Sequence, residues 1–308
     1  MKRRRRYKRK QRTFIVITTL SLVLLMSIGY SAFSTNINLS AKGNIKDKSR
    51  VIQSWNENSN EDFHTEFYRE NIVSVTFLNS SVVPNNAVEK WDVSETKDKG
   101  VMAYVTESTS ETGKYDLYIG AKNGVIANPD SSYLFYDFEG VKEIKFNSNF
   151  DTAKALTLKY MFCHCKNLRI LDLSTFNTSE VTIMGGLFED CTNLEYVDIS
   201  NFDTSNVRQM WFMFSKCDNL TELNLGNFNT SNTTQMQSMF ADAKSLKELN
   251  LCTFNMQKID RIDYMFFNTP NLSNVYVGNN WVIGETTNTE NLFQYSNVSS
   301  VTAGKCPD

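Results

Sequence analysis

Two histidines and six cysteines are the side chains of this chain best suited to chemistry, and three of them are consecutive, Cys163-His164-Cys165. Thiolate and imidazole are soft zinc ligands, but a structural zinc site takes four, and the only other histidine is His64. Acyl transfer by a Ser-His-Asp arrangement would have to recruit the same two rings. His164 sits beside Phe162 inside a repeated apolar pattern, where a structural histidine is expected. No G-x-S-x-G, H-E-x-x-H or phosphate-binding glycine loop accompanies them. The 34 carboxylates leave paired-acid hydrolysis, for example of cell wall, as the form of catalysis still open. The reading is therefore non-enzymatic, with no catalytic residue, no cofactor and no metal site.

The remaining cysteines belong to a pattern. Cys165, Cys191 and Cys217 recur at one interval, and Ala243 and Thr269 continue the column. A column that accepts any small residue points to packing, since free cysteine behaves as a small buried group. Disulfides between stacked neighbours are the second reading. Cys163, Cys252 and Cys306 have no periodic partner, and connectivity among six cysteines is not readable from sequence.

The interval is 26 residues. Phe162, Phe188, Phe214, Phe240 and Phe266 share it, as do Leu168, Leu194, Leu220, Leu246 and Leu272. Leu171, Val197, Leu223, Leu249 and Val275 follow, then Leu173, Ile199, Leu225, Leu251 and Val277. The L-x-x-L-x-L core is a leucine-rich-repeat pattern whose last two apolar residues alternate with a polar one, as a half-buried strand requires. A fixed period of this size predicts stacked units, each burying its apolar face on its neighbours. A second stripe holds Met184, Met210 and Met236, with Leu158 and Ile262 in register and the repeated phenylalanine four residues on. That spacing predicts a short helical turn. Between the stripes stand FNTS or FDTS segments, whose Asn177, Asp203, Asn229 and Asn255 favour turns and predict a polar ladder.

These elements give an expected architecture. It is an α/β repeat, a leucine-rich-repeat-like solenoid with a parallel β-sheet and short helical turns, a β-rich N-terminal cap and one preceding transmembrane helix. Residues 1–12 form a basic segment with nine Lys and Arg, and 13–33 an uncharged apolar stretch long enough to span a bilayer. Basic residues on its amino side would keep that side cytoplasmic and send the rest outward. The same pattern describes a signal peptide cleaved near Ala32-Phe33-Ser34, giving a secreted protein. Residues 34–60 read as a linker, 61–134 as the cap, 135–287 as the repeats and 288–308 as a degraded last unit and cap. Within the cap, strands are expected at 72–78, 101–106 and 115–120, the last two joined as a hairpin. Setting the nine N-terminal basic groups aside leaves 23 basic against 34 acidic side chains, a balance of −11. Such a body does not suit DNA or anionic lipid surfaces.

The repeat L-D-L-S-x-F-N-T-S-x-V-x-x-M…M-F-x-x-C-x-N-L resembles the BspA-type leucine-rich repeat of bacterial surface proteins. The stretch YDLYIGAKNGVIANPDSSYLFYDFEGV and the AVEKWDVSE segment resemble what precedes such repeats in proteins of Gram-positive bacteria. The likeness covers roughly residues 66 to 303. It implies a surface protein at the cell membrane facing outward, with a host, matrix or other surface protein as partner and no nucleic acid. Wall-anchored relatives carry a C-terminal sorting signal that is absent from Cys306-Pro307-Asp308. The leading functional expectation is protein binding or adhesion; a structural spacer of the envelope is the alternative. A ligand face, if present, is expected on the exposed side of the strands. There Asp172, Asp198, Asn224, Asn250 and Tyr276 form one column, and Ile170, Tyr196, Glu222, Glu248 and Asn274 the next. Ordinary solvated surface is the bland reading of both columns.

Overall fold

The computed structural model describes residues 48–55, 62–304 and 306. The expected membrane span at 13–33 lies outside them. Among the described residues no helix is long and apolar enough to cross a membrane, so the transmembrane helix is not part of the fold established here.

The described chain opens with a single turn at Lys48–Arg50 and one short helix, α1 (Glu66–Asn71). Thr65 caps α1 by accepting the Tyr68 amide. Strands β1 (Ile72–Leu78), β2 (Glu89–Asp92), β3 (Val101–Glu107) and β4 (Tyr115–Ala121) follow. Together with β6 (Glu143–Lys145) they make a five-stranded sheet of order β2-β3-β4-β1-β6. The hairpin expected between β3 and β4 is present, and both β4 and β6 run parallel to β1. Alternation puts Val73, Val75 and Phe77 of β1 into the core. Because β6 falls in the first repeating unit, the sheet runs directly into the repeats.

The repeats do not form the expected α/β leucine-rich-repeat solenoid. Among the described residues the structure is mostly β with almost no helix, and its remaining sheets are small. One pairs β5 (Val125–Ile126) with β7 (Phe150–Asp151), and another β8 (Ile170–Asp172) with β9 (Tyr196–Asp198). The third joins β10 (Glu248–Leu251), β11 (Asn274–Val277) and β12 (Thr302–Ala303). Residues 223–225 form no strand, so the expected continuous parallel sheet is broken in the middle. Strands of three residues offer few ladder bonds, and Asp172 and Asp198 end theirs by drawing the amides of Ser174 and Ser200 into turns at 2.9 and 3.0 Å.

The expected helical turns are absent for a local reason. Each unit carries two left-handed residues four apart: Tyr160 and His164, Gly186 and Asp190, Phe212 and Lys216, Ser238 and Asp242, Tyr264 and Asn268. A left-handed residue cannot continue a right-handed helix, so Met184 and Phe188 reach the same side through successive turns. Their burial is nonetheless complete, and the phenylalanine column forms a continuous ring stack. Its centroids from Phe162 to Phe266 are 5.4 to 6.0 Å apart. Stacking extends to Phe135 at one end and Phe293 at the other.

Neighbouring units are joined by parallel bridges running through Asp130, Thr157, Ile183, Gln209, Gln235, Arg261 and Asn288, and by further main-chain bonds along the turns, such as the Tyr160 amide to the Gly185 carbonyl and the Phe162 amide to the Leu187 carbonyl, both at 3.0 Å. Threonine supplies a second line of attachment. The buried Thr178 hydroxyl donates to the Asp203 carbonyl (2.9 Å) and accepts the Asp203 amide (2.8 Å). Thr152, Thr204 and Thr230 do the same to Asn177, Asn229 and Asn255. The polar ladder is therefore built by the threonine of FNTS. The Asn and Asp side chains instead close their own turns, as Asn177 does on Ser179 and Asp203 on Ser205.

Candidate functional site: the exposed strand face

Cys163, His164 and Cys165 do not converge. The Cys165 thiol points into the core and donates to the Phe135 carbonyl at 3.3 Å. Cys191 and Cys217 repeat that bond to Phe162 and Phe188 at 3.0 and 3.2 Å. Burial pushes all three thiols well above their ordinary range, and Cys163 likewise. This is the packing column that the small-residue pattern indicates. Cys252 and Cys306, without periodic partners, form a disulfide. His164 turns to the neighbouring units, its Nδ1 2.5 Å from Asp137 and its Nε2 3.8 Å from Asp190. The hydrogen bond to Asp137 raises its pKa. His64 is buried, with Nδ1 2.9 Å from Asp62 and Nε2 3.0 Å from the Leu134 carbonyl. Among the described residues no three His, Cys, Asp or Glu side chains gather as a metal site.

The strand face brings the expected columns together. Asp172 lies beside Asp198, and Ile170 beside Tyr196, across β8 and β9. Asn250 lies beside Tyr276 across β10 and β11. Asn224 holds the equivalent place in the unit without a strand. Asp172, Asp198, Asn224 and Asn250 each spend one oxygen on the amide two residues on, at 2.9 to 3.1 Å. Bonds from the Ser174 hydroxyl and amide hold the Asp172 carboxyl below its usual value. These four residues thus shape the strand ends, and Tyr276 does not share that role. The more exposed pair is in the adjoining column, with Ile170 61% and Tyr196 56% exposed.

The face also carries a feature with no signal in the 26-residue pattern. β6 and β8 lie side by side but do not pair, and beside them opens a groove of about 490 Å3. Ile170 and Asp172 line it together with Lys142, Lys145, Arg169 and Thr175. Lys142 pairs with Glu111 at 2.5 Å and Lys145 with Glu143 at 2.6 Å. Arg169 forks onto Glu195 of the next unit at 2.7 to 2.9 Å. Lys145 stands 27 residues before Asp172, so extending the column across the irregular first unit would have found it. The arrangement offers an apolar contact in a rim of paired charges, which suits a macromolecular surface.

No curated protein and no solved structure matches the chain. A family match covers residues 130–224 and 197–303, two overlapping stretches that together take in more than half the sequence and all of the strand face from β8 onward. The chain therefore belongs to the family described as Mycoplasma protein of unknown function, DUF285.

Proposed function

We propose that this is an outward-facing surface repeat protein that binds a protein ligand on its strand face and performs no catalysis. The observation that carries the reading is the exposed Ile170–Tyr196 pair. Two large apolar side chains stand side by side and exposed on adjacent strands, with no described element over them. Aromatic and aliphatic anchors with a charged rim are what a protein interface uses for affinity and register. The likeness of the repeats to BspA-type surface proteins supports the same role. Location outside the cell is supported by the Cys252–Cys306 disulfide, a bond that persists in oxidising compartments. The non-enzymatic reading is supported by the two histidines, each held by carboxylates or a carbonyl rather than by a nucleophile.

The test is saturable binding to an immobilised panel of collagen, laminin and fibronectin. Comparison of the native protein with an Ile170→Ser, Tyr196→Ala double variant should show affinity for at least one member falling about tenfold or more in the variant. Equal affinity in the two, with the fold intact by circular dichroism, would refute this placement of the ligand surface.

A further inference from the structure

The charges around the exposed Ile170–Tyr196 pair are matched on one side only. On the groove side each cation already meets a carboxylate, Lys142 with Glu111, Lys145 with Glu143 and Arg169 with Glu195. Elsewhere the carboxylates stand without cations. Asp172 and Asp198 lie two residues along the same strands, and Glu222 and Glu248 continue the Ile170–Tyr196 column into the next two units. Among the described residues none of these four has a Lys, Arg or His within ion-pair distance. Asp172 and Asp198 each give one oxygen to an amide of their own turn, at 2.9 and 3.0 Å. Glu248 accepts from the Asn274 side-chain amide at 2.9 Å. Glu222 and Glu248 are both exposed. Against the four acids stands Lys247, also exposed and without an ion pair.

Exposed carboxylates in water carry no strain, and their effect is on what approaches. The apolar pair supplies contact area, and the charges beside it select the partner and its register. Nucleic acid and anionic lipid are repelled by this face, and so is the same face of a second copy. A cationic partner is attracted, and its Lys or Arg side chains find carboxylates that no other group of the protein neutralises.

The spacing narrows the partner further. Units repeat every 5.4 to 6.0 Å along the ring column. Glu222 therefore stands one such step beyond Tyr196, and Glu248 two. An extended peptide places the side chains of one face about 6.8 Å apart. Alternate residues of an extended segment laid along the column thus keep pace with the units. An apolar residue on Ile170 and Tyr196 puts the second following residue at Glu222 and the fourth at Glu248.

We propose that the partner of the strand face is an extended, basic protein segment in which an apolar or aromatic residue is followed at the second and fourth positions by Lys or Arg. The inference rests on the strand-face reading above and names the chemistry of its ligand.

Binding to the purified full-length chain is measured by fluorescence anisotropy with dye-labelled peptides SYSRSRS and SYSESES, at low and at high salt. SYSRSRS binds and loses affinity as salt rises, whereas SYSESES does not bind. Glu222→Gln together with Glu248→Gln weakens SYSRSRS about fivefold or more. The same charge change at the exposed Glu66 and Glu285, in α1 and in the loop after β11, leaves the affinity within about twofold of native. Equal weakening in these two charge-matched variants would mean long-range attraction alone and overturn the proposal. Equal binding of the two peptides, or no binding of SYSRSRS, would do so as well. The collagen, laminin and fibronectin panel keeps the two readings apart. If it still separates native protein from the Ile170→Ser, Tyr196→Ala variant while SYSRSRS fails, the ligand surface stands and its partner's chemistry is wrong.

Discussion

The N-terminal sheet and the repeats hold their backbones in different ways. In the sheet, β1, β3 and β4 are seven residues long and satisfy one another strand to strand. In the repeats the strands run to four residues at most, and unit is joined to unit by main-chain bonds strung along the turns, such as the Tyr160 amide to the Gly185 carbonyl, together with a ring column and buried threonine hydroxyls. Side chains there add to main-chain bonds that lie in turns rather than in long ladders. A conservative change should therefore cost more in a repeat than in a strand of similar burial, and a break in one unit should spread along the stack.

The largest effect is expected from Phe214→Ala, at the centre of the ring column. Removing a fully buried phenylalanine costs about 3–5 kcal/mol. If units depend on their neighbours, hydrogen exchange will show residues 236–298 losing protection while β1, β3 and β4 keep theirs. Uniform loss across both regions would erase the distinction drawn between them.

Next comes the same substitution made twice. Thr204→Val keeps the shape but leaves the Asn229 amide and carbonyl without their shared partner, at a cost of about 1–3 kcal/mol. Thr106→Val in β3, where no side-chain hydrogen bond is lost, should stay within about 0.5 kcal/mol of native. Denaturant midpoints measured side by side decide it, and equal shifts would mean that threonine is not what fastens the units.

The smallest effect sharpens the picture through pH. His164 has its pKa raised by the hydrogen bond to Asp137. Its contribution is fully present below the unfolded value of about 6.5 and is lost as pH rises through the higher folded value. Native protein should therefore exceed His164→Gln in stability more at pH 5.5 than at pH 9. Solvent screening keeps the difference under about 1 kcal/mol. A gap that widens toward alkaline pH would contradict the Asp137–His164–Asp190 bridge between units.

What the sequence disclosed follows from the range of each force. Burial repeats with the period, so the Phe, Leu and Cys columns and the shared faces of Asp172, Asp198, Ile170 and Tyr196 were readable. So were β1, β3 and β4, whose alternation is long enough to be seen. The turn geometry was not readable. Met184 and Phe188 at i and i+4 suit a helix, and only the backbone shows that Gly186 and Asp190 are left-handed. Nor did spacing separate Asn177, which closes its own turn, from Thr178, which reaches the next unit. The groove beside Lys145 depends on a departure from the repeat, a 27-residue step, that a periodic reading averages away.

The disulfide between Cys252 and Cys306 spans 54 residues. A stack of dependent units frays from its ends, where each terminal unit has one neighbour only. Cys306, just beyond β12, is clipped to Cys252, just after β10, which ties the last three strands together and closes that route. Unpeeling from the carboxyl side must then begin with reduction, so an environment rich in thiols would do what a protease alone cannot.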